Sequence, residues 1–74
     1  MPINIKPIHP PGILVHYEVW DNFTYLGTVR PITKGISPAP VGWYWVNDNH
    51  VSAAFESKDA AIQDCLKLNT TQPG

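Results

Sequence analysis

Gly42-Trp43-Tyr44-Trp45-Val46-Asn47-Asp48-Asn49-His50 sets three aromatic rings side by side, then a polar turn and a histidine. Aromatic and β-branched residues favour a pleated, half-buried chain, so 42–46 reads as a strand and Asn47-Asp48-Asn49 as the turn that ends it. Successive strand residues point to opposite faces. Trp43 and Trp45 therefore share one side, and Tyr44 and Val46 the other. One short helix covers only one side of a sheet, so one of these sets lies uncovered unless a loop or arm folds over it. Such a sheet also leaves open how many tryptophans end up on the uncovered face.

Working outward, 13–20 alternates in the same way. Ile13, Val15, Tyr17 and Val19 make a purely apolar side suited to a helix-facing core, and His16, Glu18 and Trp20 make a mixed side. Asp21-Asn22 turns the chain into a second strand, from about Thr24 to Arg30, giving a hairpin with Asn22-Phe23 at its tip. Asparagine tolerates positive φ and phenylalanine does so poorly, so a longer loop is an equal alternative. Gly27 inside that strand signals a bulge, or close approach by a bulky neighbour such as a tryptophan. Residues 31–41 read as a proline-rich loop kept against the body by Ile32, Ile36 and Val41. His50 to Phe55 reads as a short fourth strand.

Ser57 caps a helix from Lys58 to about Leu68, with Asp59 complementing the positive end of its dipole. Ala61, Ile62, Cys65, Leu66 and Leu68 fall on its apolar face, while Asp59, Ala60, Gln63, Asp64 and Lys67 face away. Asn69 is the expected stop, and 70–74 a loose tail. Pro2, Pro7, Pro10 and Pro11 make 1–12 an extended arm, part of which, through Ile3, Ile5 and Ile8, can lie along a sheet edge. Pro7-Ile8-His9-Pro10 has the PxxP spacing, a pattern that chance also supplies. The expected fold is α+β: a small antiparallel sheet of three to four strands with one C-terminal helix packed on one face, in a single compact domain spanning 13–69.

Composition narrows function by exclusion. Of 74 residues, 43% are hydrophobic and 15% charged, which suits a folded globule rather than a disordered chain. Five basic residues against six acidic ones give a net charge of −1; the basic residues stand singly, without the clustering that phosphate binding needs. A charge near zero also leaves little repulsion between copies of the chain. Cys65 is the one cysteine, so neither an internal disulfide nor a paired-thiolate metal site can form. No apolar run approaches the roughly 20 residues that span a bilayer, and the first residues lack the pattern of a secretory signal. A cytoplasmic protein without membrane attachment is expected.

Little catalytic chemistry is visible. His16 and Glu18 share a strand face, but the further ligands a metal would need are His9, Asp48 and His50, in arm or turn positions. Two polar residues on the solvent side of a strand explain the pair without a metal. Cys65 lies on the apolar helix stripe, where cysteine acts as a small hydrophobe, and far from the helix N-terminus that would activate it. No phosphate loop, nucleophile elbow or zinc motif is present. No enzyme activity and no cofactor are expected.

What remains is a small interaction module, an inhibitor, adaptor or subunit of the kind phages and other mobile elements use against host proteins. It would grip a protein partner, or a second copy of itself as a dimer, through a sheet edge or an aromatic face. The candidate contact residues are Trp20, Tyr25, Trp43, Tyr44, Trp45 and His50. The first alternative is a nucleic-acid binder that stacks bases on those rings. The sheet-then-helix order loosely resembles the three-stranded DNA-binding domains of phage integrases and some plant transcription factors. That resemblance implies arginines on a strand face entering the major groove, whereas Arg30 is the only arginine of this chain. The second alternative is a small-molecule or metal module around His16, Glu18 and His50.

Overall fold

The computed structural model describes residues 3–9, 11, 14–35 and 39–70. Four strands, β1 (Ile3–Ile8), β2 (His16–Asp21), β3 (Thr24–Ile32) and β4 (Gly42–Val46), precede one helix, α1 (Lys58–Thr70). The strands form one antiparallel sheet in the order β1-β2-β3-β4, and α1 packs on one face of it. The α+β class is the one the alternation of the strands and the helix stripe led to. The membership of the sheet differs in two places.

The first difference is at the N-terminus. Ile3–Ile8, inside the proline-rich arm, is itself a strand and pairs with β2 along its whole length, from Ile3 opposite Asp21 to Ile8 opposite His16. A proline fits an edge strand when its missing N–H falls on the unpaired side, and Pro7 stands on that side of β1. The second difference is at 50–55. Instead of a fourth strand, this segment touches β4 through two isolated bridges, Val46 with Val51 and Trp43 with Phe55. Trp43 and Phe55 exchange two backbone hydrogen bonds of 2.9 and 2.6 Å, and the Ser52 N–H donates to the Trp45 carbonyl at 2.9 Å. The outer edge of β4 is thus capped without a further ladder. Smaller corrections follow: β2 starts at His16 rather than Ile13, and β3 runs on through Pro31 to Ile32. Residues 12–13, 36–38 and 71–74 lie outside the described residues, so the expectations for Ile13, Ile36 and most of the tail fall there, while Thr70 ends α1 instead of opening the tail.

The β2–β3 hairpin has the two-residue tip. Asp21 pairs with Thr24, and Asn22 takes the positive φ of 57°, which spares Phe23 from it. The register then shifts between Val19 and Trp20: Val19 faces Gly27, but Trp20 faces Tyr25. Leu26 is the extra residue of a bulge. Both expectations for Gly27 hold together, because a Cβ on it would lie 3.0 Å from Trp45 Cε3 and 3.0 Å from Cys65 Sγ. The bulge also lets Leu26 join the core.

That core consists of Val19, Leu26, Val29, Trp45, Ala61, Ile62 and Cys65, flanked by Tyr17, Trp43, Phe55 and Leu66. The Ser57 hydroxyl accepts the Ala60 N–H at 3.1 Å, which begins α1 as expected. Ala61, Ile62 and Cys65 face inward, but the expected stripe is displaced at two positions. Leu68 is 53% exposed, while Asp64 is half-buried because its Oδ2 accepts the Trp45 indole N–H at 2.8 Å. The helix continues through Asn69, whose amide donates to the Cys65 carbonyl at 2.7 Å and whose Oδ1 accepts from the Asn47 amide at 3.2 Å. That bridge ties the helix end to the strand exit. Helix α1 lies over β3 and β4, touches β2, and does not reach β1.

Candidate interaction surface

The structure divides the six candidate residues between two faces. Trp45, 1% exposed, is the largest fully buried side chain, and Trp43 packs half-buried beside it on the helix side. Tyr17 lies on the same side, 6.1 Å from Trp43 between ring centroids, with the Lys58 ammonium 4.5 Å from its own ring centre. His50 stands at the end of the turn, its ring 4.7 Å from Trp45, and is exposed. Alternation along β4 sends Tyr44 the opposite way. Trp20, Tyr25 and Tyr44 therefore belong to the face without the helix. Among the six, only Trp20 and Tyr25 are in ring contact there, at 5.5 Å and 63°.

Trp20 is held from several directions. Its indole N–H donates to Glu18 Oε1 at 3.1 Å, the Lys6 ammonium lies 4.9 Å from the centre of its ring, and the Tyr25 ring meets it at an angle. Tyr25 is fixed in turn by a hydrogen bond between its hydroxyl and that of Thr28. The bulge makes this possible, because it brings residues 25 and 28 to one face of β3. A ring whose rotamer is already set loses less conformational freedom when a partner covers it.

The face also carries Asn4, Ile8, His16, Thr28, Arg30, Ile32 and Val46, with Arg30 opposite Tyr44 across the β3–β4 pair. Burial, and secondarily the Arg30 guanidinium, lower the His16 pKa from 6.5, so the imidazole is neutral at neutral pH. The fixed charges here are then Lys6, Glu18 and Arg30. Sequence reasoning missed Lys6, Thr28 and Arg30 as members of the site. Lys6 joins it only through the β1–β2 register, and Thr28 only through the bulge; neither is a local property of the chain.

Edges differ as much as faces. Trp43 and Trp45 direct their backbone groups outward to 50–55, so Gly42, Tyr44 and Val46 direct theirs to β3. In an antiparallel ladder these directions alternate residue by residue. Carried through the pairings Arg30–Tyr44, Tyr17–Val29 and Lys6–Glu18, the alternation makes Asn4, Lys6 and Ile8 the residues bonded to β2. Ile3, Ile5 and Pro7 point their backbone groups away from the sheet. Among the described residues nothing pairs with edge β1 at Ile3 and Ile5, and Pro7 offers only a carbonyl.

Other chemistry is sparse. Among the described residues no group of three His, Cys, Asp or Glu side chains could hold a metal ion. Nor is any described helix long and apolar enough to cross a membrane. Cys65 is buried against Gly27, and burial is the main cause that pushes its thiol up to about 11 from 9.0, with Asp64 adding to it against the Asn69 amide. At pH 8 the native thiol should react with Ellman's reagent many times more slowly than the urea-unfolded thiol; equal rates would place Cys65 at the surface. Because the folded pKa is the higher one, this thiol's contribution to stability is full below about pH 9 and declines as pH rises toward 11.

Compared with known proteins, the chain matches no family model, no curated protein and no solved structure. The geometry alone carries the functional argument.

Proposed function

We propose that this protein is a non-enzymatic interaction module that binds a protein partner on the sheet face opposite α1, centred on Trp20, with the β1 edge as a second contact. The observation that carries this reading is the clamped Trp20: a large ring, pre-set by Lys6, Glu18 and Tyr25, on a face without a helix. Tryptophan and tyrosine supply a disproportionate share of hot-spot energy at interfaces. Tyr25 and Tyr44 extend the apolar area, and Arg30 and Glu18 supply rim charges that fix orientation. The setting is intracellular, and an inhibitor or adaptor role, phage-derived or not, suits a chain of this size.

Tagged protein recovered from a lysate of its source cells, with and without nuclease, tests this. A nuclease-resistant partner should bind the Trp20→Ala variant about 30-fold more weakly, the loss that a hot spot of about 2 kcal/mol implies. Thermal stability should change by less than about 1 kcal/mol, because Trp20 lies outside the core. Undiminished binding by Trp20→Ala would move the interface off this face.

Nucleic-acid binding is the second function with a specific observation in its favour, since Lys6 and Arg30 flank the same rings. Two cations would give only a shallow salt dependence, a slope of about −1.4 for a single strand. Retention of nucleic acid alone, released by moderate salt, would favour it over a protein partner.

A further inference from the structure

We infer that the β1 edge pairs with the β1 edge of a second copy, across a two-fold axis through Asn4, to make one continuous eight-stranded sheet. This rests on reading the protein as an interaction module and names the partner of one of its two contacts.

The edge is unprotected where it matters. Ile3 and Ile5 each present one outward N–H and one outward C=O, a donor and acceptor pattern that is its own complement in an antiparallel ladder. Natural sheets guard open edges with lysine, proline, bulges or covering elements. Here the Lys6 ammonium is turned to the Trp20 ring, and α1 stops short of β1. The opposite edge, at β4, is covered by 50–55. On the helix side of β1, Ile3 and Ile5 remain 36% and 37% exposed.

Three two-fold registers bring these residues together, and chemistry selects among them. Centring on Lys6 would set two ammonium-bearing side chains opposite each other and face Ile5 with Pro7. Centring on Ile5 would set Ile3 against Pro7, whose ring stands where a donor hydrogen is needed and leaves the Ile3 carbonyl unpaired. Centring on Asn4 pairs Ile3 with Ile5 of the second copy twice over, with every N–H and C=O of both residues satisfied and no proline inside the ladder. The segment Ile3-Asn4-Ile5 reads the same in both directions, so the four isoleucine side chains meet on one face and the two Asn4 side chains on the other. The net charge of −1 opposes such pairing only weakly. A three-residue edge buries little area, so the dimer should be weak and concentration-dependent.

Sedimentation equilibrium between micromolar and millimolar protein should show the mass rising from 8.2 kDa toward twice that value. Asn4→Cys should form an intermolecular disulfide on mild oxidation, because directly opposed residues of a non-bonded pair lie within disulfide range. Lys6→Cys, offset from its counterpart, should not. Ile5→Pro removes an outward donor without touching the β1–β2 ladder and should abolish the mass increase. A chain that stays at 8.2 kDa throughout, or that cross-links as readily through Lys6→Cys as through Asn4→Cys, would overturn the inference. If Ile5→Pro does not fold, the two cysteine variants decide by themselves. A monomer that captures a protein partner through Trp20 defeats the dimer while leaving the interaction face standing, and a dimer that captures nothing does the reverse.

Discussion

Trp45→Ala should cost the protein about 3–5 kcal/mol, a large part of its stability. A domain of this length has a total stability of roughly 4–11 kcal/mol, and truncating a buried aromatic to alanine costs about 3–5 kcal/mol through lost transfer energy and the cavity left behind. Trp45 is the largest side chain in the core, it borders Gly27 and Cys65, and its indole N–H satisfies the half-buried Asp64 carboxylate. Its removal therefore opens a cavity between sheet and helix and strips Asp64 of its donor. Urea titration followed by far-UV circular dichroism should show the midpoint falling steeply, or no folded baseline at all. Trp45→Phe, which keeps most of the volume and loses only the donor, should lie between. A midpoint for Trp45→Ala within about 1 kcal/mol of the parent would contradict the core assignment. For the same reason a loss of partner binding in Trp45→Ala carries no information about the interface, whereas a loss in Trp20→Ala does.

The second large effect is expected at Gly27. On chain entropy alone, glycine to alanine in an extended strand stabilises by about 0.4–1 kcal/mol. Gly27→Ala should instead destabilise by about 1–3 kcal/mol, the usual range for overpacking. The new methyl group would sit 3.0 Å from Cys65 Sγ and from Trp45 Cε3, and 3.1 Å from the Val46 carbonyl oxygen. The first two atoms belong to buried side chains, and the third is backbone of the neighbouring strand, held by the β3–β4 ladder. Cys65→Ala removes the sulfur from this contact. The double variant Gly27→Ala/Cys65→Ala should therefore lose less stability than the sum of its single changes. A stabilising Gly27→Ala would mean that α1 rides higher above the sheet than the packing described here.

Much of this architecture was legible in short windows of sequence. Period-two alternation marked β2, β3 and β4, the Ser57 cap and the Ala61, Ile62, Cys65 spacing marked α1, and Gly27 pointed to a bulge or a close approach, both of which occur. The errors fell where local pattern is silent. Pro2, Pro7, Pro10 and Pro11 mark 1–12 as an extended arm, and Ile3–Ile8 does lie along a sheet edge; that it forms a full ladder was not legible, because propensity counts prolines without knowing which side of a strand their missing N–H faces. Residues 50–55 look like a strand by composition, yet make two bridges to an edge instead of a ladder. Leu68 fits the apolar period and still lies at the surface, 53% exposed, because the face the helix turns to the sheet is set by tertiary contacts.

The site shows the same division. By themselves the residues determined that Trp43 and Trp45 must share a face, that Tyr44 must oppose them, and that Trp20 must lie across from Tyr17 and Val19, since adjacent strand residues point opposite ways whatever the fold. Only the tertiary structure decided which face each set received. That choice depends on inter-strand register and on where the helix lands, and both are fixed by contacts between residues far apart in the chain. Register put Lys6 over Trp20 and Ile5 beside Val19; the helix buried Trp45 and left Trp20 half-buried on the opposite face.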